Sequence, residues 1–160
     1  MSAEEKARGA APVGRVADLD AVEAAAVIYF RLWCDGAPSR GQVKDDFCAL
    51  LGPAHGQNAL TALGDMLELC ARHGRRPLMR HGLTCKCLGA DEACFANFIA
   101  SAACGPREDA LMMAMLIVRP DVAPLLTAMA AQFGLALKRM QLSAPHEMGA
   151  HAPEPERVLH

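Results

Sequence analysis

The sequence predicts an all-α protein: a compact single-domain bundle of five to six helices, interrupted by one long, ordered loop that carries cysteines and basic residues. Three observations lead there. The 52% of residues that are hydrophobic are mostly Ala, Leu and Met, against one Trp, one Tyr and five Phe. Ala, Leu and Met lose little conformational freedom in a helix, whereas strands favour β-branched and aromatic side chains. Apolar residues recur at helical spacing through most of the chain, and Gly and Pro fall between the periodic runs. At 160 residues with 21% charged, the chain can bury a core and lies far from the charge-rich composition of disorder.

Residues 1–17 read as a flexible leader, residues 18–142 as a single helical domain and residues 143–160 as a disordered tail dominated by Pro, His and Glu. Asp18 or Asp20 caps a first helix through AVEAAAVIYFRLW, where Val22, Ala26, Tyr29 and Trp33 share a face. Ser39 caps a second, GQVKDDFCALL, which stops at Gly52-Pro53. Ala59, Leu60, Leu63, Met66, Leu67 and Cys70 form the apolar stripe of a third, with Gly74 expected as its left-handed cap. RRPLMRHGLTCKCLGA has no clear period and reads as an ordered loop of about sixteen residues, long enough to suggest a function.

Asp91 is the expected cap of a fourth helix, with Phe95, Phe98, Ile99 and Ala102 facing inward. Pro106 opens a fifth, REDALMMAMLIV, apolar on nearly every side and therefore expected at the centre of the bundle. Asp121 caps a sixth, VAPLLTAMAAQF. The LALKRMQL segment after Gly134 is compatible with a short helix or an edge strand.

Composition limits the function classes. The formal net charge of −2 disfavours a whole-protein nucleic-acid binder, since phosphate recognition needs a basic excess. The longest apolar run, 110–118, falls short of the roughly 20 residues of a membrane span, and residues 1–17 lack the apolar region of a secretory signal. These features predict a cytoplasmic protein, and heavy use of Ala, Gly and Arg suggests a high-GC bacterial coding sequence. No phosphate loop, HExxH or GxSxG motif appears, so no catalytic machinery is evident.

In a reducing compartment, clustered cysteines more often bind metal or do redox chemistry than form structural cross-links. Of the seven cysteines, three fall in CKCLGADEAC. The leading expectation is a non-enzymatic zinc protein in which Cys85 and Cys87 from the loop, Cys94 from the first turn of the fourth helix and Cys70 from the third converge as ligands. A zinc site needs four such donors at about 2.0–2.3 Å, and His73 and His81 are the substitutes. Cys70 also lies on the apolar stripe, where a buried thiol is ordinary.

An iron–sulfur cluster is the alternative cofactor, although the usual ferredoxin spacings are absent. A reactive dithiol at the same cysteines is the other redox alternative. Its nucleophile would be Cys85 or Cys87, activated by nearby cations, with Cys94 the expected partner.

Between Glu68 and Asp91 there is no acidic residue, while Arg72, Arg75, Arg76, Arg80 and Lys86 supply five positive charges. These cations would balance a thiolate-rich centre or hold an anionic or phosphate-bearing partner. A nucleic-acid-binding regulator ranks third, because no helix presents the exposed basic and amide residues of a recognition helix.

Overall fold

Seven helices and a two-stranded sheet make up most of residues 2–143, the part of the chain that the computed structural model describes. No helix among these residues is long and apolar enough to cross a membrane. The expectation for residues 143–160 falls outside the described part, except that Ser143 ends the last helix.

The expected leader is folded instead. Ala3–Gly9 form α1, opened by a capping box in which the Ser2 hydroxyl accepts from the Glu5 amide and the Glu5 carboxylate accepts from the Ser2 amide. Pro12–Arg15 form β1, and a short 3-10 turn spans Val16–Asp18. β1 pairs antiparallel with β2, Cys87–Gly89, in the register Pro12 to Gly89, Gly14 to Leu88 and Arg15 to Cys87. All four β1 residues are exposed. The strand therefore carries no hydrophobic pattern, and its partner lies more than seventy positions along the chain.

Asp20 caps α2, Ala21–Cys34, through a 2.8 Å bond from the Glu23 amide. Two glycines with positive φ, Gly36 at 124° and Gly52 at 83°, turn the chain into α3, Ala37–Leu51, and α4, Pro53–His73. α4 does not end in a left-handed cap. Gly74 is extended, with φ −63° and ψ 146°, and bridges to Val118. The Arg75 amide donates to the Ile117 carbonyl and the Arg119 amide to the His73 carbonyl, so a tertiary contact takes the place of a local cap.

α5 spans Ala90–Cys104 with Gly89 at its cap position. Asp91 is not the cap: its buried carboxylate is taken by the Arg76 guanidinium and the Met79 amide. α6 follows as Arg107–Ile117 and α7 as Ala123–Ser143.

The apolar α6 is not the central helix. It buries Ala110, Ala114 and Ile117 and leaves Met112 64% and Leu116 77% exposed. α7 occupies the centre and packs against α2, α3, α4, α5 and α6. Its 21 residues give it the length to reach every neighbour; at 1.5 Å per residue, the 11-residue α6 covers about half that span. Gly134 does not break α7. It lets the helix lie against α5, where a Cβ would come within 2.7 Å of the Ala103 Cβ and 2.9 Å of the Ile99 carbonyl. Phe47, Phe95, Phe98 and Phe133 are wholly buried around this axis. Tyr29 meets Phe47 edge-on, with ring centroids 4.9 Å apart.

Candidate functional site

The site forms where α2, the start of α5 and the CKC segment meet, and it is organised by Arg31. This residue lies on the buried face of α2, next to Phe30 and one turn from Val27, and is itself only 3% exposed. A buried guanidinium must have its donors satisfied. Nε donates to Glu92 Oε2 at 2.6 Å and Nη2 to Oε1 at 2.9 Å. Nη1 reaches the Cys85 carbonyl at 2.6 Å and Nη2 the Cys87 carbonyl at 2.7 Å.

Glu92, fully buried, also accepts from the Gly89 amide at 3.0 Å. Burial by itself would push its carboxyl up. The Arg31 bonds and charge and the Gly89 amide outweigh that and hold it below the usual value. The Glu92 bond in turn raises the Arg31 guanidinium, against the opposing effect of its own burial. One ion pair thus fixes the backbone on both sides of Lys86.

His81 supplies the second part. Its Nε2 lies 2.8 Å from the Ala10 carbonyl and its Nδ1 3.4 Å from Cys85 Sγ. A carbonyl can only accept, so Nε2 carries the proton and Nδ1 faces the thiol. The third group orients the base toward the nucleophile, the arrangement that activates cysteine in many unrelated proteins. The His81 bond lowers the Cys85 thiol below its ordinary range, and the neighbouring Cys87 amide and thiol add to this. The Cys85 bond raises His81, and the Ala10 carbonyl does the same. Both directions favour a thiolate beside an imidazolium. Cys85 is half-buried and Cys87 exposed, so reagents can reach the pair.

The other expected ligands lie elsewhere. Cys70 is buried in the core cluster, where burial and the nearby Cys34 push its thiol up to about 12. His73 faces α7 and bonds Arg119 through Nδ1 at 2.8 Å. Cys94 is exposed on a different wall, lining a cavity of about 360 Å³ with Arg76, Asp91, Met113 and Leu116. Two residues of helix turn through about 200°, so Cys94 projects away from Glu92 and the CKC segment. Among the described residues, no three His, Cys, Asp or Glu side chains are gathered as a metal ion requires. The four-cysteine convergence is therefore not assembled, because α4 and α5 direct Cys70 and Cys94 to different environments.

The basic residues divide similarly. Arg72 pairs with Glu68 one turn away on α4, with both side chains exposed. Arg75 donates to the Met115 carbonyl at 2.7 Å, Arg76 pairs with Asp91, and Arg80 donates to the Cys34 carbonyl at 3.0 Å. These three arginines staple the 75–86 segment to α6, α5 and α2, in place of a shared anion grip. Lys86 is exposed between the two cysteines.

Arg31, the Glu92 pairing and the Ala10 carbonyl were not foreseen from sequence. The available signal was a lone arginine inside the otherwise apolar run AAAVIYFRLW, which implies a buried acidic partner without saying where it lies. No known family model matches this chain, and neither a curated protein nor a solved structure matches it.

Proposed function

We propose that the protein is a thiol-redox protein whose reactive unit is the Cys85–Cys87 dithiol. Cys85 is the nucleophile, His81 its proton acceptor and Cys87 the resolving thiol. The observation that carries this reading is His81 set between the Ala10 carbonyl and Cys85 Sγ. Toward a disulfide-bearing substrate, the Cys85 thiolate attacks one sulfur, forms a mixed disulfide and expels a thiolate. The Cys87 thiol then loses its proton and attacks Cys85 Sγ, releasing the second thiolate. The substrate disulfide gains two electrons and the dithiol loses them. Cys87 replaces Cys94 as the resolving group because Cys94 faces another cavity.

Site-resolved alkylation of the full chain with iodoacetamide between about pH 5 and 9, read by mass spectrometry, tests this. Cys85 is expected to label first and at lower pH than exposed Cys94 or Cys104, and His81→Ala removes that advantage. Labelling of Cys85 no faster than Cys104 overturns the reading. So does freshly purified protein that holds stoichiometric zinc, or an iron–sulfur chromophore, and loses it in Cys87→Ser. That result would favour the metal-binding function for the same residues.

A further inference from the structure

The CKC segment also holds down the amino-terminal arm. The Val16 amide donates to the Lys86 carbonyl at 3.0 Å, and the Ala90 amide to the Ala11 carbonyl at 2.9 Å. β1 pairs with β2 from Cys87 onward, and His81 grips the Ala10 carbonyl. Little else secures the strand part of the arm, since Pro12–Arg15 are all exposed. A segment held by a few backbone bonds with little apolar burial sits at the low end of local stability.

The carbonyls of the segment alternate. Those of Cys85 and Cys87 point to Arg31, while that of Lys86, between them, points to Val16. This alternation is that of extended chain, in which the side chains of residues i and i+2 leave one face with their Cβ atoms roughly 6.6 Å apart. A disulfide brings its two Cβ atoms to roughly 3.5–4.5 Å. Closing a bond between Cys85 and Cys87 must therefore buckle the backbone at Lys86. Arg31 cannot follow, because Glu92 holds it from the other side.

We infer that oxidation of Cys85 and Cys87 to a disulfide unlatches residues 10–16 from Lys86, β2 and the start of α5, making this part of the arm a redox-controlled flap, while Gly9 stays packed against Asp91 and Arg76. Given a reactive Cys85–Cys87 dithiol, the reading on which this rests, the co-reactant is any accessible disulfide, reduced to two thiols as the ring closes. Release breaks the Lys86–Val16 bond and the β1–β2 pairing and uncovers Leu88, which is 5% exposed in the closed form.

Hydrogen exchange of the full chain, reduced and then treated with oxidised glutathione, is the test, with peptide mapping to locate the disulfide. Peptides covering residues 10–19 are expected to exchange at least about tenfold faster after oxidation, with α4 and α7 unchanged. In Cys87→Ser the same treatment should leave the arm protected. A mapped Cys85–Cys87 disulfide with unaltered arm exchange overturns the flap while leaving the dithiol reading intact. Failure to form that disulfide overturns both. An arm that loosens equally in oxidised Cys87→Ser would show that modification of Cys85 alone is sufficient, which also overturns the flap mechanism.

Discussion

Arg31 and Glu92, 61 positions apart, meet through a paired contact of 2.6 and 2.9 Å with both side chains buried. The same guanidinium carries the carbonyls of Cys85 and Cys87, so core and thiol segment share one keystone. Arg31→Met should cost roughly 3–5 kcal/mol, because it leaves a buried carboxylate and two carbonyls without their donor. Arg31→Met combined with Glu92→Met should recover much of the loss. Urea denaturation compares the two, and a single-variant cost under about 1 kcal/mol would contradict the keystone role.

The Glu92 carboxyl is held below its ordinary value of 4.5 by Arg31 and the Gly89 amide, despite its burial. A group depressed in the folded state contributes stability that is fully present above its unfolded value and lost as pH falls through its folded value. Acid should therefore destabilise the wild type progressively below about pH 4.5, and the Arg31→Met/Glu92→Met variant should lack that component. Urea midpoints at neutral pH and at about pH 3.5 measure the difference. Parallel losses in the two proteins would remove Glu92 as the cause.

Cys70 is expected to be inert in the folded protein, since burial pushes its thiol up to about 12. It should alkylate only in denaturant. Cys70→Ser should cost about 1–3 kcal/mol by placing a hydroxyl in the core, without slowing the labelling of Cys85. Native labelling of Cys70 at the rate of exposed Cys104 would show that this core position opens readily.

Gly9 is buried beneath Asp91 and Arg76, and a Cβ there would collide with the Asp91 carboxylate and the Arg76 guanidinium. Gly9→Ala should free the arm while changing bundle stability by less than about 1 kcal/mol. Faster cleavage by trypsin after Arg8 and Arg15, with an unchanged urea midpoint, is the expected pattern. Unchanged cleavage would mean that the arm docks elsewhere.

Local chemistry made much of this architecture legible. Asp20, the Gly52-Pro53 break and the apolar stripe of α4 act within a turn or two of helix, so the residues that specify them are adjacent in sequence. The CKC segment was likewise visible as the chemically unusual part of the chain. The tertiary structure decided which helix lies at the centre. All-round apolarity marked α6, but only packing shows that the longer α7, lying close to α5 at Gly134, touches the rest.

The structure also decided what the cysteines face. Nothing near Cys94 in sequence shows that it projects away from Glu92, and nothing near Cys85 shows that a carbonyl at Ala10 orients its histidine. β1 was invisible for a related reason: its residues are exposed and its partner strand begins at Cys87. Periodicity and capping report interactions over about four residues. Arg31 with Glu92, His81 with Ala10 and β1 with β2 each close across 61 or more positions. Such contacts exist only because the helix packing brings those backbones together, and they turn an unusual run of cysteines into an oriented thiol.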